Sequence, residues 1–313
     1  MIKATMSFAA IGECMLELRH ENSDTLKLGF GGDTYNVSVY VARLLPKTSY
    51  RVDYVTALGD DPYSDQMIQA WNQEHINTEN VFRLSQRLPG AYFIRTEDDG
   101  ERHFFYYREL AAAKLLFKEG RGSILKHQLA NMNYLYFSSI SLAILDEESR
   151  EIFLDIVMHA HQNGVKVVFD TNYRPRLWQD KIIAQRTITN FMRFVDIALL
   201  TFSDEQLLFG DSSPQDAVER CEVLGINEVA VKCGAEPCLS FANKELNWVP
   251  GVVVENVVDT TAAGDSFNGG YIAARMQNLS PVKAVEWGHA VASQVIQYPG
   301  AIIPLSAMPD LRA

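Results

Sequence analysis

Residues 259–270 read Asp259-Thr260-Thr261-Ala262-Ala263-Gly264-Asp265-Ser266-Phe267-Asn268-Gly269-Gly270. A carboxylate, Asp265, follows three small residues and opens a stretch with helical spacing. Small residues let backbone N–H groups come close to a ligand. The first turn of a helix carries N–H donors without intrahelical partners and a partial positive charge. The combination suits a phosphate group with a general base held beside it. The candidate catalytic residues are therefore Ala262, Ala263, Gly264 and Asp265. Asp265 would accept a hydroxyl proton, and the amides of residues 262–265 would receive the charge developing on a transferred phosphoryl group. Phe267 and Tyr271, four apart, would bury the helix. A plain N-cap is the competing reading of Asp265.

Outward from this stretch, short apolar runs alternate with helical patterns. The runs Phe8–Ile11, Val52–Leu58, Tyr134–Ser138, Val165–Phe169, Ile197–Leu200 and Glu228–Lys232 are predicted strands. Ser64–His75 and Glu147–Asn163 are predicted helices, the second ended by Gly164. Ser280-Pro281 marks a later helix start. This rhythm argues for βαβ units and a mainly parallel sheet. Residues 89–108 break it. Tyr92–Thr96 and Arg102–Arg108 are aromatic runs joined by a segment containing Asp99-Gly100, a hairpin signal. Tyr106 and Arg108 share one face, with His103, Phe105 and Tyr107 on the other. Such a ribbon either covers a site, with a second subunit against its outer face, or forms an antiparallel edge of the main sheet.

The chain has 313 residues, 47% hydrophobic and 21% charged, enough for one large core. Its formal net charge of −11 excludes nucleic-acid binding through a general basic surface. No run approaches the ~20 apolar residues of a membrane span. Lys3 and the short patch Phe8–Ile11 do not make a signal peptide, so a cytoplasmic protein is expected. Cys14, Cys221, Cys233 and Cys238 form no CxxC pair and read as reduced thiols. The seven histidines lack ligand spacing, so no dedicated metal site is expected.

The 259–270 stretch resembles the second signature of the ribokinase-like (PfkB) sugar kinases, Asp-Thr-x-Gly-Ala-Gly-Asp-x-Phe-x-x-Gly. Asp259, Thr260, Ala263, Gly264, Asp265, Phe267 and Gly270 match it. Ala262 stands where the family has glycine. If that residue needs a positive φ, alanine costs about 1 kcal/mol; in a helical or bridge conformation it is harmless. Gly31-Gly32-Asp33-Thr34-Tyr35-Asn36 resembles the family's early sugar-binding turn, where Gly32 lets the sugar approach and Asp33 and Asn36 bond its hydroxyls. The resemblance spans nearly the whole chain. It implies a single ribokinase-like domain over 1–313, a three-layer α/β/α fold with a mainly parallel sheet. A small β-lid would include about 89–108 and parts of 12–32.

Two arginines bear on the sugar, Arg108 ending the ribbon and Arg174 in Asn172-Tyr173-Arg174-Pro175-Arg176. A guanidinium fork suits a carboxylate or phosphate. With Tyr106-Tyr107-Arg108 and Asn172–Trp178, the chain resembles the branch of this family acting on 2-keto-3-deoxygluconate. That implies a sugar acid phosphorylated from ATP at its 6-hydroxyl, bound by Gly32, Asp33, Asn36, Tyr92, Tyr106, Arg108, Arg174 and Asp265. Arg108 is the choice for the carboxylate; Arg174 would reach either the carboxylate or the γ-phosphate. Fructokinase-like and ribokinase-like kinases are the alternatives, and a non-catalytic sugar-binding protein a further one.

Nucleotide residues follow from the same likeness. Lys232-Cys233-Gly234-Ala235 resembles the family's Lys-x-Gly turn beside ATP, and strand ends are where ligands sit in open α/β sheets. Asn172, Arg174, Ser203, Lys232, Gly234, Ala235, Ala262, Ala263, Gly264 and Ala290 are the nucleotide candidates. Ser203 and Glu205 lie where relatives organise magnesium, and Ser293 accompanies Ala290 toward the adenine or the core. Neither a Walker motif nor a GxGxxG run is present. Mg2+ is expected to arrive with ATP. A monovalent cation is implied near Asp259 and Thr261, and a homodimer or larger assembly through the lid.

Overall fold

The computed structural model describes residues 6–22, 24–96 and 102–311. Strands β1 (Met6–Ile11), β2 (Met15–His20) and β3 (Leu26–Gly31) lead into helix α1 (Asp33–Leu44), then β4 (Tyr50–Gly59) and α2 (Pro62–Gln73). Short strands β5 (Ile76–Asn77) and β6 (Val81–Leu84) precede the ribbon β7 (Ala91–Thr96) and β8 (Arg102–Tyr107). Next come α3 (Arg121–Leu129), β9 (Tyr134–Ser138), α4 (Ser139–Ala143), α5 (Glu147–Gln162), β10 (Lys166–Asp170) and α6 (Lys181–Met192). They are followed by β11 (Ile197–Thr201), α7 (Phe202–Phe209), α8 (Pro214–Val223) and β12 (Glu228–Cys233). The chain closes with β13 (Glu236–Ala242), β14 (Glu245–Val249), α9 (Ala263–Met276) and α10 (Pro281–Val295).

The large sheet runs β14-β13-β12-β11-β10-β9-β1-β4-β5, with β6 also on β4. From β5 to β12 every pairing is parallel; β13 and β14 add an antiparallel edge. Its central strands are apolar throughout because helices cover both faces. On one face Phe137 meets Phe153, Phe169 and Phe191 at ring-centroid distances of 5.0, 5.3 and 5.6 Å. On the other, Phe8, Tyr54, Trp71, Tyr136 and Tyr271 pack with α1, α9 and α10.

Local signals explain most boundaries. Asp61 accepts from the N–H groups of Tyr63 and Ser64, so α2 begins at Pro62, before the predicted Ser64. Ser280 caps α10 through Lys283 N–H, and Gly164 follows α5 with a φ of 83°. Gly269 and Gly270 permit a close approach. A Cβ there would lie 2.5 Å from the Tyr40 Cβ and 2.8 Å from the Trp287 carbonyl oxygen. Helix α9 therefore sits tightly on α1 and α10, which fixes where its first turn points.

The aromatic ribbon is not an edge of the large sheet. It joins β2 and β3 in a separate four-stranded sheet of order β3-β2-β7-β8, with β2 and β7 parallel. Its predicted connection, residues 97–101 with Asp99-Gly100, lies outside the described residues, as does Lys3. Register places Glu17, Tyr92 and Tyr106 on one face and Leu18, Phe93 and Phe105 on the other. Among the described residues, no helix is long and apolar enough to cross a membrane.

Candidate active site

Two helix starts face each other at the carboxyl ends of the parallel strands. Asp33 is the first residue of α1, and Asp265 lies in the first turn of α9. Asn36, one turn into α1, donates from Nδ2 to Asp265 Oδ2 at 2.8 Å. Asp33 Oδ2 accepts from Ser138 Oγ at the end of β9 and from Asn172 Nδ2, at 3.0 Å, beyond β10. Asn172 has a φ of 28°, a left-handed backbone that turns the chain sharply after the strand. Asp170 ends β10 and is 3% exposed. Asp33 and Asp265 are half-buried, so three carboxylates, one of them buried, share this neighbourhood.

Burial dominates their protonation. It pushes Asp265 well above the usual carboxylate range; the charges of Asp33 and Asp170 push the same way, while the Asn36 bond and the Lys232 charge oppose them. Burial raises Asp33 as well, against the Ser138 and Asn172 bonds. The charge of Asp33 therefore favours the protonated form of Asp265.

Ala262 is the N-cap of α9, with φ −115° and ψ 23°. That conformation is open to alanine, so the missing glycine carries no backbone penalty. Its methyl is buried with Tyr40, Val291 and Val295. The four predicted amides are not equivalent. Ala263 N–H is taken by the Thr260 carbonyl at 3.1 Å, which removes it from the candidate anion hole. The N–H groups of Gly264 and Asp265 find no backbone acceptor among the described residues. Asp259 braces the loop by accepting from Thr261 N–H at 3.0 Å, Thr261 Oγ1 at 2.6 Å and Gly300 N–H at 2.6 Å.

Gly32 lies against the backbone of Glu13: a Cβ would sit 2.2 Å from the Glu13 carbonyl oxygen. Arg108 pairs with the Glu13 carboxylate, which is 3% exposed, and its guanidinium carbon lies 6.0 Å from the Tyr106 ring centroid. Burial raises the Glu13 carboxyl, and Arg108 pulls it back. Glu13 Oε1 and Arg108 Nε remain without partners, so the pair keeps hydrogen-bonding capacity. Burial raises the Tyr106 hydroxyl, and the positive charges of Arg108, Arg174 and Arg176 oppose it. Tyr92 is placed differently from expectation. Its hydroxyl donates to Glu17 Oε2 at 2.5 Å across the lid sheet, and the residue is 8% exposed. A Cβ at Gly31 would meet that hydroxyl at 2.0 Å, so Tyr92 packs tightly within the small sheet with its hydroxyl proton committed to Glu17.

Arg174 is exposed. Its Nη1 donates to the Tyr173 carbonyl at 3.0 Å and lies 3.6 Å from Asp204 Oδ2. Ser203 is exposed on α7, whereas its neighbour Asp204 accepts from Tyr173 N–H at 3.1 Å, so Asp204 and not Ser203 ties α7 to the Asn172–Arg174 segment. Glu205 is fully buried against Arg220, and burial pushes its carboxyl up to about 7. Gly234, with a φ of 66°, and Ala235 form an exposed turn. Gly251 lies beneath that turn and beside His289, where a Cβ would be 3.7 Å from both the Ala235 carbonyl oxygen and His289 Nδ1. Ala290 is half-buried, and Ser293 turns its hydroxyl back to the Ala290 carbonyl at 2.9 Å. Lys232 stands apart from its turn: it is 8% exposed, and Nζ bonds Asn268 Oδ1 at 2.9 Å.

Sequence reasoning missed Glu13, Ser138, Asp170, His289 and Asn268. Asp170 had a readable signal, a carboxylate closing the apolar run Val167–Phe169, since a buried charge needs partners.

A parallel α/β sheet with a carboxylate and unpaired first-turn amides at its carboxyl edge suits phosphoryl transfer. The chain belongs to the pfkB family of carbohydrate kinases, whose domain it matches over residues 6–308. It is 48% identical over 304 residues to the 2-dehydro-3-deoxygluconokinase of Escherichia coli (strain K12), covering 96% of this chain and 98% of that one. The crystal structure of the Thermotoga maritima 2-dehydro-3-deoxygluconokinase superposes with a TM-score of 0.82 at 22% identity, covering 97% and 96% of the two chains. A putative ribokinase II from E. coli in complex with ATP and Mg2+ superposes at 0.80 with 20% identity, covering 97% and 96%. The two structures show the ribokinase-like fold.

Proposed function

We propose that this protein transfers the γ-phosphoryl group of ATP to the 6-hydroxyl of 2-keto-3-deoxy-D-gluconate, giving 2-keto-3-deoxy-6-phosphogluconate. The observation that carries this reading is Asp265, a half-buried carboxylate in the first turn of α9 beside two amides without backbone acceptors, in a chain similar over 96% of its length to a 2-dehydro-3-deoxygluconokinase. Asp265 takes the hydroxyl proton as the oxygen attacks phosphorus. The Gly264 and Asp265 amides receive charge on the transferred group. Asp33 and Asn36 hold sugar hydroxyls, and Arg108 with Arg174 meets the carboxylate. The Gly234–Ala235 turn, Gly251 and His289 form the nucleotide side. Placing Ala290 beside the adenine belongs to the same proposal.

Among the described residues, no group of three or more His, Cys, Asp or Glu side chains is placed to hold a metal. A magnesium ion would come in on phosphate oxygens, keeping its waters and neutralising phosphate charge. A monovalent cation beside Asp259 is a finer part of the proposal; the Thr261 and Gly300 bonds already satisfy much of that carboxylate. A cytoplasmic location fits four unpaired cysteines, three of them buried.

The test is ATP-coupled turnover on a panel of 2-keto-3-deoxy sugar acids and neutral ketoses. The expected kcat/KM for 2-keto-3-deoxygluconate exceeds that for fructose by roughly a hundredfold or more, the range of one charged hydrogen bond. Comparable values would favour a neutral-sugar kinase, a reading to which the Glu13–Arg108 pairing gives some physical ground.

We also propose a homodimer through the lid. Its outer face exposes Leu28, Phe105 and Tyr107, at 37%, 52% and 68%, beside Phe93. Such an apolar sheet face is a candidate contact with a second copy. Light scattering at micromolar concentration is expected to give twice the chain mass, and Phe105→Lys with Tyr107→Lys to halve it. A wild-type monomer would remove this proposal.

A further inference from the structure

Lys232 ends a strand in a turn that reads as nucleotide-binding, yet its ammonium lies inside the protein. Nζ bonds Asn268 Oδ1 at 2.9 Å and lies 3.4 Å from Asp170 Oδ1. Asn268 closes the ring by donating from Nδ2 to Asp170 Oδ2 at 2.8 Å, with the Tyr136 hydroxyl 3.3 Å away. The three members come from β12, α9 and β10, so the ring ties the start of α9 to two strand ends. A Cβ on Gly264 would sit 3.8 Å from Nζ, and the Phe267 ring centroid lies 5.9 Å from it. The ammonium is thus directly behind the loop that carries the candidate base.

The charges around that loop are lopsided. Asp265 faces Asp33, Asn36 and Tyr40 from α1, Tyr136 from β9, and Asp170 from β10. Lys232 itself also faces Asp204 from α7 and Cys238 from β13. Among the described residues, Lys232 is the leading cation acting on Asp265. Three carboxylates against one ammonium leave the pocket negative, which opposes both ionisation of a base and entry of a polyphosphate.

We infer that Lys232 is a positioning residue: clamped by Asp170 and Asn268, it holds the Gly264–Asp265 turn and supplies the fixed positive charge that lets Asp265 act as a base between Asp33 and Asp170. The inference rests on the kinase reading and goes beyond it. It separates Lys232 from the turn at Gly234 and Ala235. The direction follows from charge alone. Without the ammonium, Asp265 holds its proton to higher pH. Without the Asp170 charge, it gives the proton up at lower pH.

The test measures kcat/KM against pH from about 6 to 9.5 for wild type, Lys232→Met, Lys232→Arg and Asp170→Asn. Lys232→Met keeps the length and loses the charge. Its acidic limb is expected to move up by about one pH unit or more, so that its rate deficit shrinks by about fivefold or more between pH 7 and pH 9. Lys232→Arg keeps the limb in place at a lower rate. Asp170→Asn moves it in the opposite direction. A rate loss independent of pH in Lys232→Met, or a roughly tenfold rise in KM for ATP with an unmoved limb, would overturn the inference. Thermal unfolding of the same proteins provides a readout without turnover. The Tm deficit of Lys232→Met is expected to grow between about pH 5 and pH 9, because carboxyls raised in the folded state lose stability as pH rises through their folded pKa. A constant deficit overturns the inference. A growing deficit in an enzyme that phosphorylates no sugar upholds the charge relation and overturns the kinase reading alone.

Discussion

Asp265→Asn is expected to lower kcat by about a thousandfold, within the range general-base catalysis contributes, and to change KM for sugar and ATP by no more than a few fold. The substitution is nearly isosteric. The new side chain keeps a carbonyl oxygen for the Asn36 amide, which now reaches Asp265 at 2.8 Å. The amides of residues 264 and 265 are backbone groups and survive the change. What disappears is one proton acceptor. Unequal effects on kcat and KM are the mark of an interaction used in the transition state and not in ground-state binding. Coupled-assay kinetics with calorimetric binding of the sugar would check this. Unchanged turnover would remove Asp265 from the chemistry.

The same variant should be more stable than wild type at alkaline pH. Burial and the neighbouring Asp33 and Asp170 hold the Asp265 carboxyl above its unfolded value. A carboxyl raised in this way favours folding below the unfolded pKa, about 3.9, and loses that contribution as pH rises through the folded value. Wild type therefore carries a cost that grows from about pH 4 upward, and the uncharged amide of the variant escapes it. The Tm advantage of the variant should be smallest at about pH 4 and widen to about pH 8, the pattern of a site that trades stability for function.

The legibility of this site in the sequence follows from how local each part is. The Asp265 loop depends on backbone approach and a helix start, both properties of adjacent residues, so the start of α9 at Ala263 is legible, whereas the conformation of Ala262 and the Thr260 bond to Ala263 are not. Parallel strands are equally readable, because burial on both faces makes Val167–Phe169 and Ala198–Leu200 unbroken apolar runs. The antiparallel edge β13–β14 is not, since Glu245 and Asn247 interrupt Glu245–Val249 and most of that strand faces water. The ribbon's aromatic pattern is visible, but its attachment to β2 is a pairing such as Glu17 with Tyr92, far apart in the chain. Lys232 shows the limit most directly. Its strand-end position is a local fact, whereas its burial between Asp170 and Asn268 exists only once β10 and α9 have packed. Glu13 likewise reads as an ordinary residue after β1 until the lid brings Arg108 to it.

Arg108→Ala is expected to raise KM for 2-keto-3-deoxygluconate by about a hundredfold and KM for a neutral ketose by less than about threefold. The magnitude comes from losing a charged hydrogen bond, worth ~1.5–3 kcal/mol, at about 1.4 kcal/mol per tenfold. The Glu13 pair complicates the experiment in a predictable way. Removing Arg108 strands a carboxylate that is 3% exposed, and an uncompensated buried charge destabilises by several kcal/mol or takes up a proton. A loss of activity through unfolding would affect acid and neutral substrates alike, so it would mimic failure of the carboxylate assignment. Glu13→Gln with Arg108→Ala separates the two effects. The double variant removes the stranded charge, and its Tm should recover toward wild type. Its discrimination against the sugar acid should nevertheless persist, because no guanidinium remains at that position to meet the substrate carboxylate. If the double variant instead binds acid and neutral sugars with equal loss, Arg108 serves the architecture of the small sheet and the carboxylate must be met elsewhere, with Arg174 and Arg176, whose charges act on Tyr106, as the groups to replace next.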